Sequence, residues 1–113
     1  YGNKIMTKIT IFKKNDLFLG FESIGHSGYE NRGKDIVCSA ISTALQICVI
    51  ELGVLKLKFD LKKDEKKGYL YCKLKEDEAQ KAQVAFKTLE IALLDLENQF
   101  AKYLKLEVKD EVN

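Results

Sequence analysis

The sequence predicts one α+β domain, with helices packed on a mostly antiparallel sheet. Three observations lead there. Segments of period two and period 3.6 follow one another as β-β-α-β-β-α, with room for a final short β. The 113 residues suit one domain with one modest core. The chain has no proline, so its breaks fall to seven glycines and short polar turns. With 46% hydrophobic and 32% charged residues, composition excludes a disordered chain.

Residues 7–13 alternate, with Thr7, Ile9 and Ile11 on one face, as a half-buried strand requires. Lys14-Asn15-Asp16 is a turn, and residues 17–24 form the hairpin partner. Gly20 inside that strand marks a bulge or a close backbone approach. Gly25 to Asp35 is polar, holds Gly25, Gly28 and Gly33, and contains no aliphatic residue. It reads as a long mobile loop, and such loops in small domains are usually functional. Residues 36–52 form a helix, with Asp35 as its N-cap and Gly53 at its stop. Residues 54–62 alternate, with Leu55, Leu57, Phe59 and Leu61 on one side of a strand. Asp64 to Gly68 turn the chain into a strand at 69–75, with Leu70, Cys72 and Leu74 inward. Residues 77–104 form a long helix with Ala82, Phe86, Leu89, Leu93, Leu96 and Phe100 on one stripe. Residues 106–109 add a short edge strand.

The counts restrict the chemistry. Net charge is +2, too little to argue for nucleic acid, and direct nucleic-acid binding is not expected. The one His excludes a multi-His zinc site within the chain. Cys38, Cys48 and Cys72 are odd in number and show no CxxC spacing, so neither metal nor other cofactor is expected. Reduced thiols in the cytoplasm are the simplest reading. Every apolar run is interrupted by Gln, Glu or Lys, and no membrane association is expected. No signal peptide is expected, since the N-terminus lacks a basic region followed by an apolar run. Met6 is the only Met, so residues 1–5 read as a remnant ahead of the natural start, with the domain over residues 6–113.

On a helical wheel, Val37, Ile41, Ala44, Leu45, Cys48 and Leu52 lie at the centre of the apolar face. Asp35, Ser39, Ser42 and Gln46 define the polar stripe, and Cys38 falls on the border. Cys48 and Cys72 thus read as core residues. Cys38 reads as a first-turn thiol directly after the glycine segment. Free N–H groups at a helix start stabilise a thiolate. His26 lies in the segment leading to that helix, and Cys plus His is the minimum set for nucleophilic attack on a carbonyl. Asp35 stands one turn before Cys38, placed to orient an imidazole. Ser42 stands one turn after it, placed to donate a hydrogen bond. Backbone N–H groups of the loop or helix start would supply an oxyanion hole. Each residue also has a plainer role. Cys38 is a buried helix residue, His26 a solvated loop residue, Asp35 a cap, and the glycines turn formers.

Two surfaces suggest partners. Lys56, Lys58, Lys62, Lys63, Lys66, Lys67, Lys73 and Lys75 gather on one hairpin, where a solvated, edge-protecting face is the favoured reading. Val84, Ile91 and Leu94 form a second apolar strip on the long helix, most simply a homodimer surface. A non-catalytic, homodimeric ribosome- or protein-binding module would use these surfaces and is the alternative to an enzyme.

The segment from Gly25 to Ser42 resembles the ribosomal-processing cysteine protease Prp family of bacteria. The family signature is Gly-His, a glycine-containing loop, Asp-x-x-Cys and a Ser on the next helical turn. Gly25, His26, Asp35, Cys38 and Ser42 match it. The resemblance implies a homodimeric cytoplasmic protease with His26 and Cys38 catalytic and Asp35, Ser42 and Gly25 supporting. The mobile loop would include Ser27, Gly28, Tyr29 and Gly33. The implied substrate is the precursor of large-subunit ribosomal protein number twenty-seven, whose N-terminal extension the family removes after an aromatic residue.

Overall fold

The computed structural model describes residues 6–25 and 32–111, with the side chains of residues 32–35 outside that description. Strands β1 (Thr7–Lys14) and β2 (Leu17–Ile24) form an antiparallel hairpin. Its two-residue turn, Asn15-Asp16, has positive φ at both positions (50° and 68°). That is the turn whose twist matches a β-hairpin, and Asn and Asp tolerate it best among side-chain-bearing residues. Helix α1 (Arg32–Val54) follows, then β3 (Asp60–Asp64) and β4 (Tyr69–Lys73). Between β3 and β4, Asp64 Oδ1 accepts from the Lys66 and Lys67 N–H groups, and Gly68 takes φ 60°. A short helix α2 (Glu76–Ala79), a 3-10 turn (Gln80–Ala82) and α3 (Gln83–Gln99) lead to β5 (Leu104–Asp110). The sheet order is β3-β4-β2-β1-β5. Among the described residues, only the β1–β5 pair is parallel; the other three are antiparallel. The architecture is therefore α+β, as the pattern of periods predicts.

Both long helices contribute to one core. Val37, Ile41, Leu45, Cys48 and Leu52 of α1 are buried, as are Phe86, Leu89 and Leu93 of α3. They join Ile9, Ile11, Phe21 and Cys72 from the sheet in one cluster. Gly20 is forced by a close approach: a Cβ there would collide with the Cys72 carbonyl oxygen of β4. The ladder shifts register beside it, between Phe12 and Lys13.

Several boundaries differ from the sequence reading. Helix α1 begins at Arg32, not at residue 36. Gly33 therefore belongs to a helix rather than to a mobile loop, and Asp35 is an interior helical residue rather than the N-cap. Nothing in residues 32–35 forbids helix; one Gly costs about 1 kcal/mol, which packing along a 23-residue helix offsets. Nor does Gly53 stop the helix. The Lys56 N–H bonds to Gly53 O at 2.9 Å and the Leu57 N–H to Leu52 O at 3.0 Å, with Lys56 at φ 59°. This is a Schellman cap, closed by the buried pair Leu52 and Leu57. The cap consumes residues 55–57, and the Lys58 N–H is taken by Glu78 Oε1 at 2.7 Å. Strand pairing therefore starts only at Asp60, and Leu55 and Leu61 are exposed. The helix expected over 77–104 is broken by the 3-10 turn and ends at Gln99. Finally, residues 36–54 of α1 are long and apolar enough by composition to match a membrane span, contrary to the reading that all such runs are too interrupted. One stripe of that helix is packed on the sheet, as in a core helix.

Candidate active site

The α1 helix and the β3–β4 hairpin stand apart on the helix-covered side of the sheet and leave a cleft of about 530 Å³. From α1 come Cys38, Ile41, Ser42, Leu45, Gln46, Val49 and Ile50. Their spacing of three and four places them along one flank of the helix. Leu61, Lys63 and Glu65 line the opposite wall with Gly68, Tyr69 and Leu70, while Thr7, Ser23 and Gly25 reach it from β1 and the end of β2. Ile41, Leu45, Val49, Ile50, Leu61 and Leu70 supply the cleft's aliphatic surface, and Lys63 pairs with Glu65 at 3.4 Å. An apolar trough with scattered polar groups suits an extended peptide.

The three cysteines occupy different environments. Cys72 is fully buried on β4 and Cys48 is 3% exposed on α1. Burial pushes both thiols up to about 12, with Cys72 and Glu51 adding to the effect at Cys48 and Asp60 at Cys72. They are inert core thiols, as the wheel predicts. Cys38 is partly exposed and lines the cleft. Its Sγ lies 3.7 Å from Thr7 Oγ1, within hydrogen-bonding range for sulfur.

Gly25 closes the same end of the cleft. It has φ +134°, and a Cβ there would lie 2.6 Å from Met6 O and 2.8 Å from Thr7 Cα. Its N–H bonds to Gly68 O at 3.1 Å. Only glycine fits both the dihedral and the space. The residue that precedes His26 in the sequence therefore rests on Thr7, which in turn touches Cys38.

Other expected positions are met differently. His26, Ser27, Gly28 and Tyr29 lie outside the described residues. Ser42 lines the cleft one turn beyond Cys38, at a neighbouring position about 6 Å away by helix geometry. Asp35 precedes Cys38 by one turn inside α1. Because α1 starts at Arg32, Cys38 is in the second turn, about 9 Å along the axis from the start. Its N–H is past the first four helical N–H groups, the ones without helical partners. Helix-start amides beside Cys38, as expected from a first-turn thiol, are therefore not available at that position. Among the described residues, no three His, Cys, Asp or Glu side chains gather as a metal site.

Sequence reasoning missed Thr7 and Ser23 as cleft residues. Both are polar yet buried, at 4% and 6% exposure. The signal was present for Thr7, a hydroxyl sharing the inward face of β1 with Ile9 and Ile11. The β3–β4 wall had no such signal, because its position opposite α1 is a long-range consequence of sheet order.

The family model described as cysteine protease Prp matches residues 6–105. Among solved structures, the chain is similar to SMU.848 from Streptococcus mutans, with 25% identity and a TM-score of 0.87 over 98% of this chain and all of that one. It is similar in fold to an essential ribosomal processing protease Prp from S. aureus in complex with a substrate peptide. That match has 21% identity and a TM-score of 0.83, covering 92% of this chain and 100% of that one. The same S. aureus protease with a covalently linked product peptide gives 22% identity and a TM-score of 0.81, over the same shares of the two chains. No curated protein matches the sequence.

Proposed function

The chain belongs to the cysteine protease Prp family, and on that premise we propose that it removes the N-terminal extension of bacterial large-subunit ribosomal protein number twenty-seven, using Cys38 as nucleophile and His26 as its base. The observation that carries the assignment of the nucleophile is a contrast. Cys38 lines an apolar cleft while Cys48 and Cys72 are sealed in the core. The S. aureus relative has been seen with a substrate peptide and with a covalently linked product peptide, which fits a thiol nucleophile at a peptide-binding cleft.

In this scheme His26 takes the Cys38 S–H proton, and the thiolate attacks the scissile carbonyl carbon, whose oxygen becomes an oxyanion. In the same scheme Ser42, one turn beyond Cys38, donates a hydrogen bond to that oxyanion. Collapse breaks the C–N bond, and His26 returns its proton to the leaving amine. Water, activated by the same imidazole, then attacks the thioester and releases the acid and the Cys38 thiol. Asp35 orients His26. Gly25 fixes the start of the segment carrying His26 against Thr7. The functional unit is a homodimer formed through exposed apolar residues, among them Val84 and Ile91 of α3, at 76% and 57% exposure.

The test is cleavage of a peptide spanning the ribosomal-protein extension. Cys38→Ala and His26→Ala should each lose at least about 10³-fold in kcat/KM. Cys48→Ala should remain within a few-fold of the parent if it folds. Full cleavage by Cys38→Ala or His26→Ala overturns the assignment.

A further inference from the structure

Resting on Cys38 as the nucleophile, we propose that Thr7 is a positioning residue for the reaction: its hydroxyl holds the Cys38 sulfur at the end of the cleft and donates a hydrogen bond to it once it is ionised. Thr7 Oγ1 and Cys38 Sγ are 3.7 Å apart. The hydroxyl is buried, so it needs a partner, and among the described residues the sulfur is that partner. In the neutral pair either atom can donate. After ionisation only the hydroxyl can, and the bond becomes charge-assisted and stronger.

The backbone of Thr7 is held from three directions. Its N–H donates to Tyr103 O at 2.9 Å, and it pairs with Leu104 at the start of the parallel ladder. Its Cα lies directly beneath Gly25. A β-branched side chain on such a strand has few rotamers, so the hydroxyl arrives preorganised. Thr7 also supplies what α1 cannot, since the helix starts six residues before Cys38. Among the described residues, the titratable side chains sharing the cleft with Cys38 are Lys63 and Glu65, which pair with each other, and Tyr69, which donates to Glu22 at 2.8 Å.

The test follows iodoacetamide alkylation of Cys38, read site-specifically by mass spectrometry from pH 5.5 to 10. Cleavage kinetics are measured alongside, in the parent, Thr7→Val and Thr7→Ser. In Thr7→Val the alkylation of Cys38 near neutral pH should slow about 3–10-fold, and kcat should fall about 3–10-fold with KM within about twofold. Thr7→Ser should restore both. The proposal is overturned if the Thr7→Val profile superimposes on the parent, or if Thr7→Ser behaves like Thr7→Val. Should Thr7→Val not fold, Thr7→Ala and Thr7→Ser are compared in the same way, and matching profiles overturn it. Loss of cleavage in Cys38→Ala with an unmoved Thr7→Val profile removes only the role of Thr7. Full cleavage by Cys38→Ala removes the catalytic assignment, whatever the alkylation profile reads.

Discussion

Identical thiols differ here because of what surrounds each sulfur. Cys48 and Cys72 are held neutral to about pH 12, chiefly by burial, whereas an unfolded thiol ionises near 9. Between those values the folded chain keeps protons that the unfolded chain has released. Stability is therefore unaffected by these groups below pH 9 and falls as pH rises from 9 toward 12. Each thiol contributes at most about 1.4 kcal/mol per pH unit to that slope. Denaturant titrations at pH 9 to 11 should show a shallower fall in Cys48→Ala than in the parent; equal slopes would contradict the burial argument. Gly25 acts through backbone and space together. Gly25→Ala should lose about 2–4 kcal/mol, because φ +134° and the contacts at Met6 and Thr7 both oppose a Cβ. Urea unfolding reads this directly, and a change below about 1 kcal/mol would refute it.

Elements in this fold are joined by side chains standing in for backbone. Gln83 Oε1 accepts from the Phe18 N–H at 2.9 Å, and its Nε2 donates to Phe18 O at 2.8 Å and to Ala79 O at 2.7 Å. It thereby completes β2 beside the register shift and satisfies a carbonyl next to the 3-10 turn. The same residue ties the α2–α3 junction to the sheet. Gln83→Ala should lose about 2–3 kcal/mol, since part-buried backbone groups are left without partners. A loss under 0.5 kcal/mol in equilibrium unfolding would mean that water replaces the amide at no cost. Glu97 acts similarly on β5, accepting the Leu106 N–H at 2.7 Å. At the opposite edge, β3 presents the exposed Lys62 and Lys63, which fits the edge-protecting reading of the lysine hairpin.

On the scale of the whole molecule, one sheet face carries two helices, and the β3–β4 end of that face is left open as the cleft. The helices keep apolar residues outward and away from the cleft: Ile47 and Val54 on α1, and Val84, Ile91 and Leu94 on α3. A self-associating chain would bury such residues. Sedimentation of the parent should give twice the monomer mass at about 10 µM, and Ile91→Asp, exposed and so tolerated by the fold, should give a monomer. A parent that is monomeric at that concentration would remove the homodimer from the proposed function.

The sequence alone determined the class of the five strands and the two long helices, the buried stripe Val37, Ile41, Leu45, Cys48 and Leu52, and which cysteine differs from the other two. These are local properties, carried by periodicity and by the side chain itself. It misplaced the ends of α1 and the start of β3, because the Schellman cap at Lys56 and the Glu78 hydrogen bond to Lys58 depend on geometry that composition does not encode. Glycine there suggested a stop, while the left-handed residue proved to be a lysine. Only the tertiary structure decided that Thr7, Gly25 and Cys38 meet at one end of a cleft whose far wall is β3 and β4. Those contacts span 31 residues for Thr7 and Cys38. They follow from the β3-β4-β2-β1-β5 order of the sheet, a property of the packed chain as a whole.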